Sequence, residues 1–325
     1  MLLLWLTACF PCPDDTLLSA DGSCYPIAQN LDPPVVADAD GDGFVRWDLA
    51  EDPAQADCDD QDPTVTPQTE RLVPAGDFVR GSEAGLPDTT PVKTVELGAF
   101  CVDRLERTNT QFIGVLEESV AAGRPNRSAD GAMLYDFEDD DDDVREGIEW
   151  EQDAPVLVEG LEQHPVVEVY WGSANAYCIW VGLSLPTEAQ WEKAARGTDG
   201  RTYPWGDDAP TCELANLRPE IQGGPCWDKT LPVGSFPLGV SPYGALDMAG
   251  NVAEWVSDWY DPDYYNAAPD TDPPGPSDPI ESRERITRGG NFPSGPPAAS
   301  TFSRYKEPEN ATSNGVGFRC VRPLE

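Results

Sequence analysis

Glycine and proline interrupt this chain so often that no long regular element fits between them. Its 325 residues hold 29 Gly and 33 Pro, and from Arg71 onward short strand-like runs alternate with turns. That texture predicts short strands, few helices and much irregular backbone. Residues 170–182, YWGSANAYCIWVG, set Tyr177, Ile179, Trp180 and Val181 around one predicted helix. A second begins after Thr187, whose side chain can cap it while Gln190 reaches back in a capping box. Trp191, Trp205, Trp255 and Trp259 are expected in the core, because buried indoles contribute large apolar area.

Charge narrows the partners. Lys+Arg 21 against Asp+Glu 59 leave a formal net charge of −38, which repels nucleic acid and anionic lipid and makes divalent cations the natural counter-ions. Nine cysteines and one histidine do not suit a zinc or iron enzyme, which draws on several imidazoles. The cysteines read instead as a disulfide set from an oxidising compartment, with one left over. The N-terminus accounts for the odd one. Met1 to Cys9 read MLLLWLTAC, a short apolar run that resembles a bacterial lipobox, with small Ala8 before the acylated Cys9. The expectation is a signal peptide over 1–8 and an exported lipoprotein of the bacterial cell envelope, held at the outer membrane by its lipid. A tether follows over 9–34, where Cys12 and Cys24 can close a small loop.

Residues 35–69 are rich in aspartate. Asp38, Asp40 and Asp42 stand at alternate positions before Gly43 and Phe44, as oxygen ligands, sharp turn and backbone carbonyl do at the start of a calcium loop. Leu49 stands where an EF-hand needs its glutamate, so this is not an EF-hand. A second cluster supplies Asp57, Asp59 and Asp62. The pair resembles the Asp-rich calcium repeats of thrombospondin type 3 modules and of secreted bacterial proteins. The alternative is a solvated acidic linker, as expected for the run Asp139 to Asp143.

Several segments in order then carry a resemblance: VPAGDFVRGS at 73–82, FCVDRLERTNTQF at 100–112, HPVVEVYWGSANAYCIWVG at 164–182, LSLPTEAQWEKAARG at 183–197, YPWGDD at 203–208, PVGSFPLGVSPYGALDMAGNVAEWVSDWY at 232–260, RGGNF at 288–292 and GVGFRC at 315–320. Residues 70–325 are thereby similar to the sulfatase-modifying-factor family, the domain of formylglycine-generating enzymes. The resemblance implies an α+β, C-type-lectin-like fold. It implies a structural calcium site at Asp247, Glu254 and the carbonyls of Gly250 and Val252, and a further site at Asn216 and the carbonyl of Leu217. In that second site Pro225 stands where the family offers a carboxylate. It also implies a disulfide between Cys178 and Cys320. Cys212 and Cys226 flank a short loop and are expected to pair, whereas Cys58 and Cys101 either pair or stay free.

Formylglycine-generating enzymes oxidise a substrate cysteine with copper held by two cysteines after the Gly-Gly pair. Here no cysteine lies between Cys226 and Cys320; Ser294 stands near the first position, and a hydroxyl is a poor ligand for soft copper(I). No oxidase activity, copper or iron is therefore expected, and no catalytic residue is assigned. One histidine also excludes the related iron-dependent sulfoxide synthases, and His164, before Pro165, reads as structural. The expectation is a monomeric, calcium-stabilised module that binds a peptide or glycan in a groove roofed by 291–314, with Asn291, Ser294, Arg304 and Tyr305 as candidate lining. The competing reading is a maturation enzyme with altered chemistry in that groove.

Overall fold

The computed structural model describes residues 38–137, 147–218 and 225–324, together with the backbone of two paired strands, β1 (Thr16–Leu18) and β2 (Cys24–Pro26). The expectations at Cys9, Cys12 and the Asp139–Asp143 run, and the side chain of Cys24, lie outside the described residues.

Two helices start where a threonine stands three residues ahead of a glutamine. At α1 (Asn109–Ala121) the Thr108 Oγ1 accepts the Gln111 N–H, and Gln111 Oε1 accepts the Thr108 N–H. The same reciprocal box opens α3 (Glu188–Arg196) through Thr187 and Gln190, satisfying N–H groups that a helix start leaves without partners. Between them α2 (Trp171–Trp180) occupies the segment predicted as helical. A single further turn, α4, spans Tyr264–Ala267.

Short strands make up the rest. β3 (Val45–Arg46) runs parallel to β4 (Ala56–Asp57), with Val45 opposite Ala56 and Arg46 opposite Asp57. β8 (Phe100–Asp103) is the centre of a three-stranded antiparallel sheet between β5 (Glu70–Val73) and β15 (Val321–Pro323). Two hairpins pair β6 (Gly76–Arg80) with β7 (Lys93–Leu97) and β9 (Ile148–Glu151) with β10 (Ala154–Leu157). In the four-stranded sheet, β11 (Ala253–Trp259) lies between β12 (Glu284–Arg288) and β14 (Val316–Phe318), and β13 (Tyr305–Pro308) forms the edge beyond β12.

Successive side chains of β11 serve two cores, as a strand's alternation requires. Trp255 packs with Phe112, Leu116 and Tyr177 of α1 and α2 and with Phe318. Val256 packs with Trp191, Ala194 and Ala195 of α3 and with Phe78 and Val95 of the β6–β7 hairpin. Each buried Val, Leu or Phe among these stabilises the fold by roughly 1.5–3 kcal/mol. Of the tryptophans expected in the core, Trp191 and Trp255 are buried, but Trp205 and Trp259 are half-buried. Trp205 stacks on Tyr203, and the Arg285 guanidinium lies between the rings of Trp171 and Trp259.

Among the described residues three disulfides tie these parts together. Cys178 of α2 bonds to Cys320 between β14 and β15, and Cys212 bonds to Cys226. Cys58 bonds to Cys101 of β8, which resolves the pairing that the sequence leaves open. Around that bond Ala56, Val65 and Leu72 form a small core with Trp47 against it, so the aspartate-rich segment is packed onto the body.

Candidate functional site

The parallel pairing of β3 with β4 sets two acidic loops side by side. In the first, Asp38, Asp40 and Asp42 each turn Oδ1 onto a nearby backbone: it accepts the N–H of Gly41 (2.8 Å), Asp42 (3.1 Å) and Phe44 (2.8 Å) respectively. Gly41 and Gly43 take the left-handed conformations this tight path requires, with φ of 79° and 92°. Carboxylate oxygens of the three aspartates lie within 4.8 Å of one another. In the second loop Asp57 Oδ1 accepts the Asp59 N–H at 2.9 Å, and Asp60 Oδ1 reaches across to the Ala39 N–H at 2.8 Å. The Oδ2 atoms of Asp40, Asp42 and Asp57 are buried and have no hydrogen-bond partner. Burial first, then the charges of Asp42, Asp40 and Asp60, push the Asp57 carboxyl up to about 6.

The expected ligands divide here. Asp38, Asp40 and Asp42 come together, and Asp57 lies near enough for the charges of Asp40 and Asp42 to act on it. Asp59 instead accepts a hydrogen bond from Arg322 Nη1 at 2.8 Å, and Asp62 accepts from the N–H and hydroxyl of Thr64 at 3.0 and 2.7 Å. Asp60, which was not singled out, takes the place beside Ala39. The Phe44 N–H closes the turn on Asp42.

A second group of acids is assembled in the body by the turn LDMAGNVAEW. Asp247 and Asn251 adopt positive φ of 57° and 59°, and a Cβ at Gly250 would meet the Asn216 carbonyl oxygen at 2.4 Å. Glu254 accepts from Arg319 Nη2 and Nε and from Trp191 Nε1, each at 2.7 Å. Asp247 Oδ2 accepts the Gly234 N–H at 2.6 Å. Glu106, absent from the expected set, is buried with them and accepts from the Val252 N–H and Asn251 Nδ2. Burial, then Asp247 and Glu254, push the Glu106 carboxyl well above its usual range; burial raises Asp247 to about 6. Gly250 and Val252 lie on this turn, next to Asn216. The Asn216 Nδ2 donates to the Lys229 carbonyl, its buried Oδ1 has no partner, and the Leu217 carbonyl accepts the Cys226 N–H.

The four residues expected to line a groove do not share one. Asn291 and Ser294 close a turn on each other, the Ser294 hydroxyl donating to Asn291 Oδ1 at 2.5 Å. Arg304 is buried: Nε and Nη2 grip the Glu188 carboxylate at 2.7 and 3.0 Å, while Nη1 donates to the Asp88 carbonyl. A guanidinium fork matches a carboxylate in this way, so Arg304 is part of the frame rather than groove lining. Tyr305 is 40% exposed on β13. Two other clefts are present. One of about 500 Å³ has Gln68, Arg107, Gln111 and Arg322 in its wall; the other, of about 370 Å³, is lined by Met133, Tyr170, Trp171 and Gly172 and edged by Glu309 and Asn310. The edge residues of the second belong to the 291–314 segment, the expected roof.

Nothing in the described residues offers a soft metal or a nucleophile–base pair at the place where the family keeps its cysteines. The six cysteines with described side chains are all in disulfides. His164 is buried with Nδ1 2.8 Å from the Thr230 hydroxyl, and burial pushes its pKa down, which fits a structural histidine.

The Sulfatase-modifying factor enzyme 1-like domain model matches residues 55–324. The formylglycine-generating enzyme of Streptomyces coelicolor is 31% identical over 307 residues, covering 84% of this chain and 96% of that enzyme. The serine/threonine-protein kinase Pkn1 of Chlamydia trachomatis is also 31% identical, over 255 residues, with 78% of this chain matching 38% of the kinase. Among solved structures, PvdO from Pseudomonas aeruginosa superposes with a TM-score of 0.58 at 24% identity, covering 78% of this chain and 94% of PvdO. That likeness shows the fold: the α+β, coil-rich architecture of formylglycine-generating enzymes.

Proposed function

The chain belongs to the sulfatase-modifying factor enzyme 1-like domain family, and from that premise we propose that it is a non-catalytic ligand-binding module of the bacterial cell envelope, held there by a lipid on Cys9. One observation carries the reading. The chain has no cysteine between Cys226 and Cys320, and Cys320 itself is locked to Cys178. The segment that would supply two copper-binding thiolates supplies Ser294, whose hydroxyl is engaged by Asn291. Copper(I) needs soft ligands, and neither a disulfide nor a hydroxyl is one.

The surface best suited to a ligand is the cleft at Met133, Tyr170 and Trp171 under Glu309 and Asn310. Apolar and aromatic walls with a few polar groups at the rim suit a sugar ring or an extended peptide. The reading keeps a structural calcium ion at the turn of Asp247 and Glu254. Each acid there already accepts a protein hydrogen bond, so that ion is expected to contribute less than one in a site without protein donors.

Incubation of the purified soluble form with copper and a Cys-x-Pro-x-Arg peptide tests the reading. Unchanged peptide is expected, and conversion to the aldehyde would establish the enzyme reading in its place. In parallel, glycan and peptide arrays should return a ligand whose binding is lost in Trp171→Ala.

A further inference from the structure

We propose that Asp38, Asp40, Asp42, Asp57 and Asp60 form one shared calcium site that fastens the start of the module to its body. The sequence presents two acidic clusters about fifteen residues apart, each readable as a loop of its own. The structure merges them: β3 and β4 bring Asp57 opposite Arg46, and Asp60 bonds across to the backbone of the first loop at Ala39.

The arrangement of the oxygens carries the inference. In Asp40, Asp42 and Asp57 one carboxylate oxygen is held by a backbone N–H, which fixes the side chain's orientation. The other oxygen is buried and has no donor. Asp57 is fully buried, so bulk solvent does not reach its free oxygen. Buried carboxylate oxygens without donors are costly, and a group of them with like charge is more so. Among the described residues no side-chain cation donates to these oxygens. Arg46, whose charge acts on Asp60, is held by Asp48 at 2.6 Å through both Nε and Nη2, and Arg322 is held by Glu70 and Asp59. A cation from solution would satisfy these atoms together and offset their like charge.

The donor set selects the ion. Every free ligand is a carboxylate oxygen, and Cys58 beside Asp57 is bonded to Cys101, so the site is hard and does not suit zinc or copper. Carboxylates spread over two loops suit the larger, variable coordination of calcium better than the strict octahedron of magnesium. The ion would close the 38–44 loop onto the 57–60 loop. From there the Cys58–Cys101 disulfide and the Asp59–Arg322 pair lead directly into β8 and β15. This is independent of the ligand proposed for the body.

Calcium stoichiometry, measured by titration calorimetry on the full chain after chelation, tests it. The double variant Asp42→Asn/Asp57→Asn is expected to lose one bound calcium, or to bind it at least tenfold more weakly. Asp59→Asn/Asp62→Asn is expected to keep it, and equimolar Mg²⁺ should not displace it. Equal stoichiometry and affinity in the first variant and the wild type would overturn the site, as would loss of the ion in the second. If the first variant does not fold, terbium luminescence on the folded protein decides. Trp47 packs against Ala56 and Cys58, whereas Trp191 stands against Glu254, so Trp47→Phe should remove the loop site's share of the Trp-sensitised emission; unchanged emission would reject the site.

Discussion

The acids around α3 and the acids of the 38–60 loops present the same electrostatic problem with different solutions. Glu188 and Glu192 are completely buried, yet each faces guanidinium groups. Arg288 donates to both at 2.9 Å, Arg304 grips Glu188, and Arg196 meets Glu192 at 3.1 Å. Attraction to Arg304 and Arg288 outweighs the cost of burial and holds the Glu188 carboxyl below its usual range. In the acidic loops burial wins, Asp57 rises to about 6, and carboxylate oxygens lack donors. A buried acid is tolerable when its counter-charge is built in; where it is not, as at the proposed loop site, an ion from solution would supply it.

The most damaging way to break this comparison is to remove a built-in cation. Arg288→Ala leaves Glu188 and Glu192 short of a partner in the core, and the expected loss is about 3–5 kcal/mol, read by thermal unfolding. The loss should be the same in calcium and in chelator. Stripping calcium from the wild type comes next. An ion held at a hundredfold excess over its Kd contributes about 2.7 kcal/mol, so the melting midpoint should fall in chelator and recover on adding calcium back.

A smaller effect sharpens the α3 side. Asp258 accepts from the Glu188 N–H, and burial together with the Glu188 charge raises its carboxyl from 3.8 to about 7. Because the folded state holds this proton more tightly, the group favours folding below its unfolded pKa and loses that contribution as pH rises to about 7. Melting curves between those limits should show stability falling with pH in the wild type, and a flatter profile in Asp258→Asn. The smallest effect marks the border of the loop site. Asp59→Asn weakens only a partly exposed pair with Arg322, and a change within about 0.5 kcal/mol is expected.

Local signatures were legible in the sequence and distant pairings were not. The capping box at Thr187 and Gln190 announced α3. The identical signature at Thr108 and Gln111 stands at the start of α1. The alternating aspartates located the first acidic loop. Choosing Asp60 over Asp59 required the β3–β4 register, since neighbouring aspartates in DCDD differ only in which way the backbone turns them. Arg304 reads as groove lining from the sequence because its partner Glu188 stands 116 residues away. Glu106 sits alone in its segment and gains meaning only where the fold sets it against Asp247 and Glu254.

Amide hydrogen exchange on the full chain, with calcium and with chelator, tests most directly whether these two regions neutralise their acids by different means. The account expects protection over residues 38–62 to fall when calcium is removed, while amides of α3 and β12 keep theirs. Unchanged protection over 38–62, or equal loss in α3, would contradict it.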